Sequence, residues 1–356
     1  MSVEWLVGVD LGGTTIKIAF ITCSGDIVHK WEIPTKKSEQ GNKIPSDIGR
    51  SIDKKLIEIG ETKSKLIGIG IGAPGPVNDA DGSIHVAVNL GLRNFPLRQL
   101  LSLETGLPVV VDNDANIAAI GEMWKGAGEG ANNLLCVTLG TGVGGGVIAN
   151  GEIVHGVNGA AGEIGHITSV LEEGAICNCG KSGCLETVAS ATGVVRLAKN
   201  ILTSTSTPSI LRDAGNETNE LTAKLIFEAA KARDVVAVNV VNVLAFHLGF
   251  TLANIANVLN PEKIVIGGGV SKAGDILLDS VREQFIRFAF PRVVEGVELN
   301  IATLGNDAGV IGGAWLAKTK LATTEEMFIC LKERHSNLQK ILRKNINSKK
   351  TLNINY

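Results

Sequence analysis

Apolar and polar positions along this chain first alternate in short runs and only later fall into helical spacing. VGVDLGGTTIKIAFIT (residues 7–22) and LLCVTLGTGVGGGVIANG (134–151) each read as an apolar strand, a turn rich in glycine and threonine, then a second strand with β-branched alternation. This weak internal repeat predicts two similar half-molecules, each offering a glycine turn to a shared cleft. KLIGIGIGAP (65–74) and LPVVVDND (107–114) read as buried strands, and EKIVIGGGVSKAG (262–274) as another strand running into glycines. DANIAAIGEMWKGAG (114–128) has the apolar spacing of a helix, which puts Asp114 at a strand-to-helix junction. Residues 203–220 form a polar interruption, expected as surface loop with some helix. The pattern from Ala229 to Asn260 reads as one long buried helix stopped by Asn260 and Pro261, and GVIGGAWLAK (309–318) as a small-residue helix near the end of the ordered fold.

Length and charge narrow this picture. A chain of 356 residues can bury a large core and favours two domains. The expected division is a small N-terminal lobe over 1–118 completed by a helix near 305–318, a large lobe over 119–304, and a basic appendage over 319–356. That appendage, rich in asparagine and lysine, reads as a solvated extension in preference to a basic amphipathic helix touching membrane or nucleic acid. The net charge of −2 gives no pull toward either of those partners. MSVEWLVGVDLGG has no basic leader, its apolar run is broken by Gly8 and Asp10, and no apolar segment is expected to reach the roughly 18 residues of a membrane span. A soluble, cytoplasmic protein is expected.

The glycine turns carry the first candidate chemistry. Gly12 and Gly13 let backbone N–H groups approach an anion, Thr14 and Thr15 add hydroxyl donors, and Asp10 at the strand end is placed to hold Mg²⁺ directly or through water. The second turn contains G-x-G-x-x-G at Gly140, Gly142 and Gly145, but a strand follows it where a dinucleotide fingerprint needs a helix. No P-loop pattern occurs, so two glycine turns on paired hairpins fit a split nucleotide cleft. In VVVDNDAN, Asp112 and Asp114 are both candidates for a general base, or simply caps of the following helix. Asp114, at the mouth of that helix, could take the proton of a hydroxyl attacking phosphorus, and Asn113 could hold the same substrate.

Cys23, Cys136 and Cys330 are scattered singly, and Cys23 and Cys136, in or beside strand-like runs, read as small buried hydrophobes. Cys177, Cys179 and Cys184 crowd into eight positions, an odd number of thiols that cannot all pair, in a compartment expected to be reducing. The spacing C-x-C-x4-C with His166 eleven positions upstream offers a complete tetrahedral set for structural Zn²⁺, with no open position for catalysis. Glu163 and Glu186 would then ride on a loop fixed by metal and could accept hydrogen bonds from the vicinal hydroxyls of a sugar; the plain alternative is that both are solvated surface residues.

Together, DLGGTT, DNDAN, LGTGVGGG, and GEIGH with CNCGKSGCLE resemble the ROK family (repressors, open reading frames and kinases) from about residue 5 to about residue 318. The resemblance implies an α/β, two-lobed, actin-like or hexokinase-type ATPase fold with duplicated RNase H-like domains and a zinc-stabilised loop. DLGGTTIK, DNDANIAAIGEMWKGAG and GAAGEIGH look most like the family's bacterial glucokinases, which implies phosphorylation of the 6-hydroxyl of glucose by Mg²⁺·ATP. By the same resemblance Asp114 is the catalytic base, Asn113, Glu163, His166 and Glu186 bind the hexose, and Gly75 and Asn89 line its pocket. His166, Cys177, Cys179 and Cys184 ligate zinc. Asp10, Gly12, Gly13, Thr14, Thr15, Thr141, Gly142 and Gly144 serve the phosphates and Mg²⁺, and Gly268 in IGGGVSKAG approaches the adenosine end. A homodimer or dimer of dimers is implied. Thr15 stands where many relatives carry lysine, so that lysine contact to phosphate is absent. The chain begins directly at the first phosphate strand, without the helix-turn-helix domain of the family's repressors, and DNA binding is not expected. The alternatives are a kinase for N-acetylmannosamine, N-acetylglucosamine or fructose, polyphosphate as donor, or a sugar-sensing regulator without turnover. A glycosidase would leave both phosphate turns unexplained.

Overall fold

The computed structural model describes residues 4–36, 41–213 and 220–321; the expected appendage beyond them, with Cys330, lies outside the described residues. Contacts divide the chain into two compact units, Met1–Asp112 with Gly313–Tyr356, and Asn113–Gly312.

The first unit is built on β1 (Trp5–Leu11), β2 (Thr15–Thr22), β3 (Ile27–Pro34), α1 (Ile44–Glu58), β4 (Leu66–Ala73), β5 (Ile84–Ala87), β6 (Leu92–Phe95), α2 (Leu97–Thr105) and β7 (Val109–Asn113). Its sheet runs β3-β2-β1-β4-β7, with β1 antiparallel to β2 and parallel to β4; β5 and β6 form a separate hairpin. A strand covered on both faces needs apolar residues at every position, which is how WLVGVDL and LIGIGIGA read. Val7, Val9, Ile18, Ile69 and Ile71 are fully buried, and Ile48 of α1 and Leu101 of α2 close the same core.

The second unit contains α3 (Asp114–Lys125), β8 (Leu134–Leu139), β9 (Val143–Ala149), β10 (Glu152–Ile153), α4 (Glu186–Ala189), α5 (Ala191–Ser204), α6 (Ala223–Lys231), α7 (Val235–Leu259), β11 (Lys263–Gly267), α8 (Asp275–Phe288), α9 (Pro291–Gly296), β12 (Glu298–Ile301) and the start of α10 (Ala308–Leu321). Its sheet runs β10-β9-β8-β11-β12, with β8 antiparallel to β9 and parallel to β11. Hairpin strand, hairpin strand, then parallel crossover strands is the order of the first sheet again, so the repeat read from the two glycine hairpins extends to the topology of both units.

Three expectations need correction. The apolar pattern from Ala229 to Asn260 is not one helix: Arg233 turns left-handed (φ 64°) between α6 and α7. Asp234 then caps α7 by accepting from the Ala237 N–H at 3.0 Å. Residues three and four apart stay apolar across the break, so periodicity carried no sign of it; the cap Asp234 was the missed signal. The C-terminal stop is where expected, with Asn260 left-handed at φ 44°. Second, α7 is long and apolar enough to cross a membrane by length and composition, contrary to the absence expected, but more than half of its most apolar 18-residue stretch is buried in the core of the unit, where Leu244, Leu248 and Leu252 are fully enclosed. Third, Cys23 is buried but disulfide-bonded, not the lone thiol expected; Cys136 is a free buried thiol, pushed up to about 12 by burial.

Candidate functional site

In the first unit, the β1–β2 hairpin brings Asp10 opposite Lys17, and their side chains meet at 3.0 Å. The turn between them is held by Gly12 N–H donating to Thr15 O at 3.1 Å and by the Thr35 hydroxyl donating to Gly12 O at 2.8 Å. Thr14 and Thr15 sit at its mouth, Thr14 exposed. A side chain on Gly13 would press on Asn89 Nδ2 at 3.2 Å, so the phosphate turn and the expected sugar residue Asn89 are neighbours. Gly75 adopts φ 83°, and a Cβ there would lie 2.0 Å from Val86 O; the backbone approach of β5 leaves room for glycine alone.

The second unit assembles more of the expected site, and β9 is its hub. The glycines of VGGGV are needed on both faces of that strand. On one face, a Cβ at Gly146 would stand 2.6 Å from Ala119 Cβ, and one at Gly144 3.2 Å from Ala115 Cβ, so α3 lies directly on the strand. On the other, a Cβ at Gly145 would meet Gly162 O and Ile164 at 2.6 Å, so the segment carrying Glu163 lies equally close. Asp114 opens α3 beside the first contact, and Glu163 and His166 flank the second.

Asp112 and Asp114, equal candidates in sequence, separate here. Asp112 is buried in β7, whereas Asp114 is exposed in the first turn of α3. Asn113 is the N-cap: its Oδ1 accepts from Ala115 N–H at 2.8 Å and Asn116 N–H at 3.3 Å. That oxygen serves the helix, and the side-chain amide is the donor end of Asn113.

The cysteine loop folds as the spacing suggested. The ligand atoms of His166, Cys177, Cys179 and Cys184 lie within 4.8 Å of one another. Cys179 Sγ to Cys184 Sγ is 3.6 Å, and Cys177 Sγ to His166 Nδ1 is 3.6 Å. Bond lengths of about 2.3 Å to sulfur and 2.0–2.1 Å to nitrogen around a tetrahedral Zn²⁺ give edges of about 3.6–3.8 Å. The residues fit the metal. Burial pushes the Cys184 thiol up to about 12 and that of Cys177 upward, while the Lys181 N–H draws Cys179 down. Lys181 also ties the loop to the histidine, its Nζ donating to His166 O at 2.9 Å. With Nδ1 facing the thiols, His166 turns Nε2 toward Glu163, 3.8 Å away.

Glu186 follows the last cysteine and does more than sequence suggested. Its Oε2 accepts from Val143 N–H at 3.0 Å, at the end of the second glycine turn, and its Oε1 lies 3.8 Å from Cys177 Sγ. Gly142 must be glycine for that approach, since a Cβ would fall 2.4 Å from Oε2. Thr141 is exposed at the tip of the turn. Gly268, at φ 86°, backs onto Leu139 O just before the same turn, 2.5 Å from where its Cβ would be. Beside it is a cavity of about 520 Å³ with apolar walls from Ala191, Phe227, Val270 and Ala273 and a rim carrying Lys224, Lys231 and Lys272. Lys17, Thr192 and the α6 face of this cavity were not legible in the sequence.

The ROK family model matches residues 6–320. A glucokinase of Halalkalibacterium halodurans is 59% identical over 326 residues, 92% of this chain and 98% of that protein. A glucokinase of Thermotoga maritima is 35% identical over 317 residues, 89% of this chain and 98% of that protein. Among solved structures, a ROK family glucokinase from Streptomyces griseus in complex with glucose and AMPPNP superposes with TM-score 0.70 at 35% identity, covering 89% of this chain and 100% of that one.

Proposed function

Because the chain belongs to the ROK family and has its actin-like ATPase fold, we propose that it is a glucokinase, transferring the γ-phosphoryl group of ATP to the 6-hydroxyl of glucose. The observation that carries the chemistry is β9, which packs the helix of Asp114 on one face and the segment of Glu163 and His166 on the other.

Asp114 takes the proton of the 6-hydroxyl as its oxygen attacks phosphorus, with ADP leaving in line. Its exposure in the first turn of the helix leaves the carboxylate accessible to a hydroxyl. Glu163, His166 Nε2, Glu186 and the Asn113 amide hold the sugar hydroxyls, joined by Asn89 and the backbone at Gly75. The backbone amides of Gly12, Gly13, Thr141, Gly142 and Gly144, with the hydroxyls of Thr14 and Thr15, receive phosphate oxygens, and Asp10 would hold Mg²⁺, whose charge would offset that of the transferring group. The cavity beside Gly268 takes the adenosine, its apolar walls matching a purine face. His166 and the three cysteines would hold Zn²⁺ as a structural ion, which would fix the loop that carries the sugar ligands.

The enzyme works in the cytoplasm, where ATP is supplied. It works as a homodimer, a second copy covering an apolar groove of about 830 Å³ along α7 lined by Phe246, Phe250, Val258 and Leu259.

Release of ADP from Mg²⁺·ATP across glucose, mannose, fructose, N-acetylglucosamine and N-acetylmannosamine tests the substrate. Glucose should give the highest kcat/KM; preference for an N-acetyl sugar would move the assignment within the family. Asp114→Asn should bind glucose nearly as tightly while kcat falls at least about 10²-fold. Near-normal turnover by that variant would remove Asp114 from its role.

A further inference from the structure

The second glycine turn is held from outside as well as from within. Its own closure is the Gly140 N–H to Gly142 O bond of 2.9 Å above the Leu139–Val143 strand pair. The rest of its support comes from the segment after the last cysteine. Ala191 N–H donates to Gly140 O at 2.8 Å, the Thr192 hydroxyl donates to Thr141 O at 3.0 Å, and Glu186 Oε2 accepts from Val143 N–H at 3.0 Å.

These bonds have a geometric consequence. In a planar trans peptide, the carbonyl and the following N–H point in opposite directions, and no peptide among the described residues is cis. Holding the carbonyls of Gly140 and Thr141 against residues 191 and 192 therefore turns the N–H groups of Thr141 and Gly142 the other way. Two successive amides facing out of a turn make an anion-binding concavity.

The supporting segment hangs in turn from the cysteine cluster. Thr187 N–H and the Thr187 hydroxyl both donate to Cys184 O, at 2.9 and 2.7 Å. The Ser190 hydroxyl, fully buried, donates to Glu186 O at 2.7 Å and accepts from Gly193 N–H at 3.0 Å, locking α4 to the start of α5. A continuous hydrogen-bonded path thus runs from a metal ligand to the amides that face the phosphates.

We infer that Glu186–Thr192 is a brace that sets the second glycine turn for nucleotide, with Thr192 a positioning residue, so that the metal site governs ATP affinity and not only sugar affinity. The inference rests on the kinase reading above. It goes beyond it by giving the metal loop a second dependent, on the donor side of the reaction.

The test is binding of a non-hydrolysable ATP analogue with Mg²⁺, measured by calorimetry on the whole chain without sugar, alongside glucose binding measured separately. Thr192→Val removes the hydroxyl's bond to Thr141 O, and with it a 3.0 Å contact with the Ser190 hydroxyl, at an exposed residue while leaving all four metal ligands. It should weaken nucleotide binding about threefold to tenfold, the range for one such bond, raise KM for ATP to match, and leave glucose affinity unchanged. Thr192→Ser should restore nucleotide binding. Cys179→Ser, lacking stoichiometric zinc by metal analysis, should lose affinity for both ligands. If wild-type protein binds no nucleotide, the kinase reading itself falls. If it binds and Thr192→Val binds as tightly, or if Thr192→Val weakens glucose and nucleotide alike, the brace is overturned. Cys179→Ser with weakened glucose binding but wild-type nucleotide binding overturns the link to the metal.

Discussion

Lys17 faces Asp10 across the first hairpin at 3.0 Å, two positions beyond Thr15. The pair is partly exposed, so it adds only about 0–1 kcal/mol to stability. Its larger effect should be on the carboxylate: a cation on one oxygen fixes the rotamer of Asp10 and leaves the other for Mg²⁺. Lys17→Met should therefore raise KM for Mg²⁺·ATP about tenfold while the thermal midpoint moves by only a few degrees. Steady-state kinetics at varied Mg²⁺ would check this, and an unchanged KM would reduce the pair to surface decoration. At this scale, legibility in sequence followed chemistry. Residues whose side chains suit few other purposes, such as Asp114 or the clustered cysteines, stood out. Lys17 and Thr192 did not, because their meaning depends on strand register and on which carbonyl lies within reach.

Among the elements, β9 shows how a strand can be specified by what must fit beside it. Its glycines read in sequence as the tail of a phosphate turn, yet Gly145 and Gly146 are dictated by the helix and the loop pressed onto either face. Gly146→Ala should push α3 off the strand and cost about 1–3 kcal/mol, read as a lower denaturant midpoint, with kcat falling as Asp114 moves. Unchanged stability would mean that α3 yields freely. Strand–turn–strand, the helix at Asp114 and the strand before Gly268 were legible because period-two and helical patterns are local. The break at Arg233 and Asp234 was not, since apolar periodicity ran through it and a single capping aspartate outweighed that pattern.

At the scale of the whole molecule, α7 is apolar around most of its circumference, yet Val258 is 82% exposed and Leu171, across the same groove, 88%. Projections and a recess on one face suit an isologous contact, in which the same patch serves both copies. Sedimentation should show a dimer for the wild type and a monomer for Val258→Asp, a substitution too exposed to disturb the fold; a dimer that survives it would place the contact elsewhere. The duplicated sheet order was legible as two similar hairpins, but the route by which the chain closes the first unit was not. β4 meets α10 backbone to backbone, Gly70 against Gly313, so tightly that a Cβ on Gly70 would fall 1.8 Å from Gly313 O, and Lys318 Nζ donates to Cys23 O at 2.7 Å. The first unit thus needs a helix from more than two hundred residues downstream. At about 5–20 residues per second on the ribosome, the N-terminal half of the sheet must wait roughly 10–40 s for that helix. The second unit, contiguous from Asn113 to Gly312, is free to finish first. Translation order and folding order are reversed, and the exposed edge of the waiting half is where a nascent-chain chaperone would be needed most.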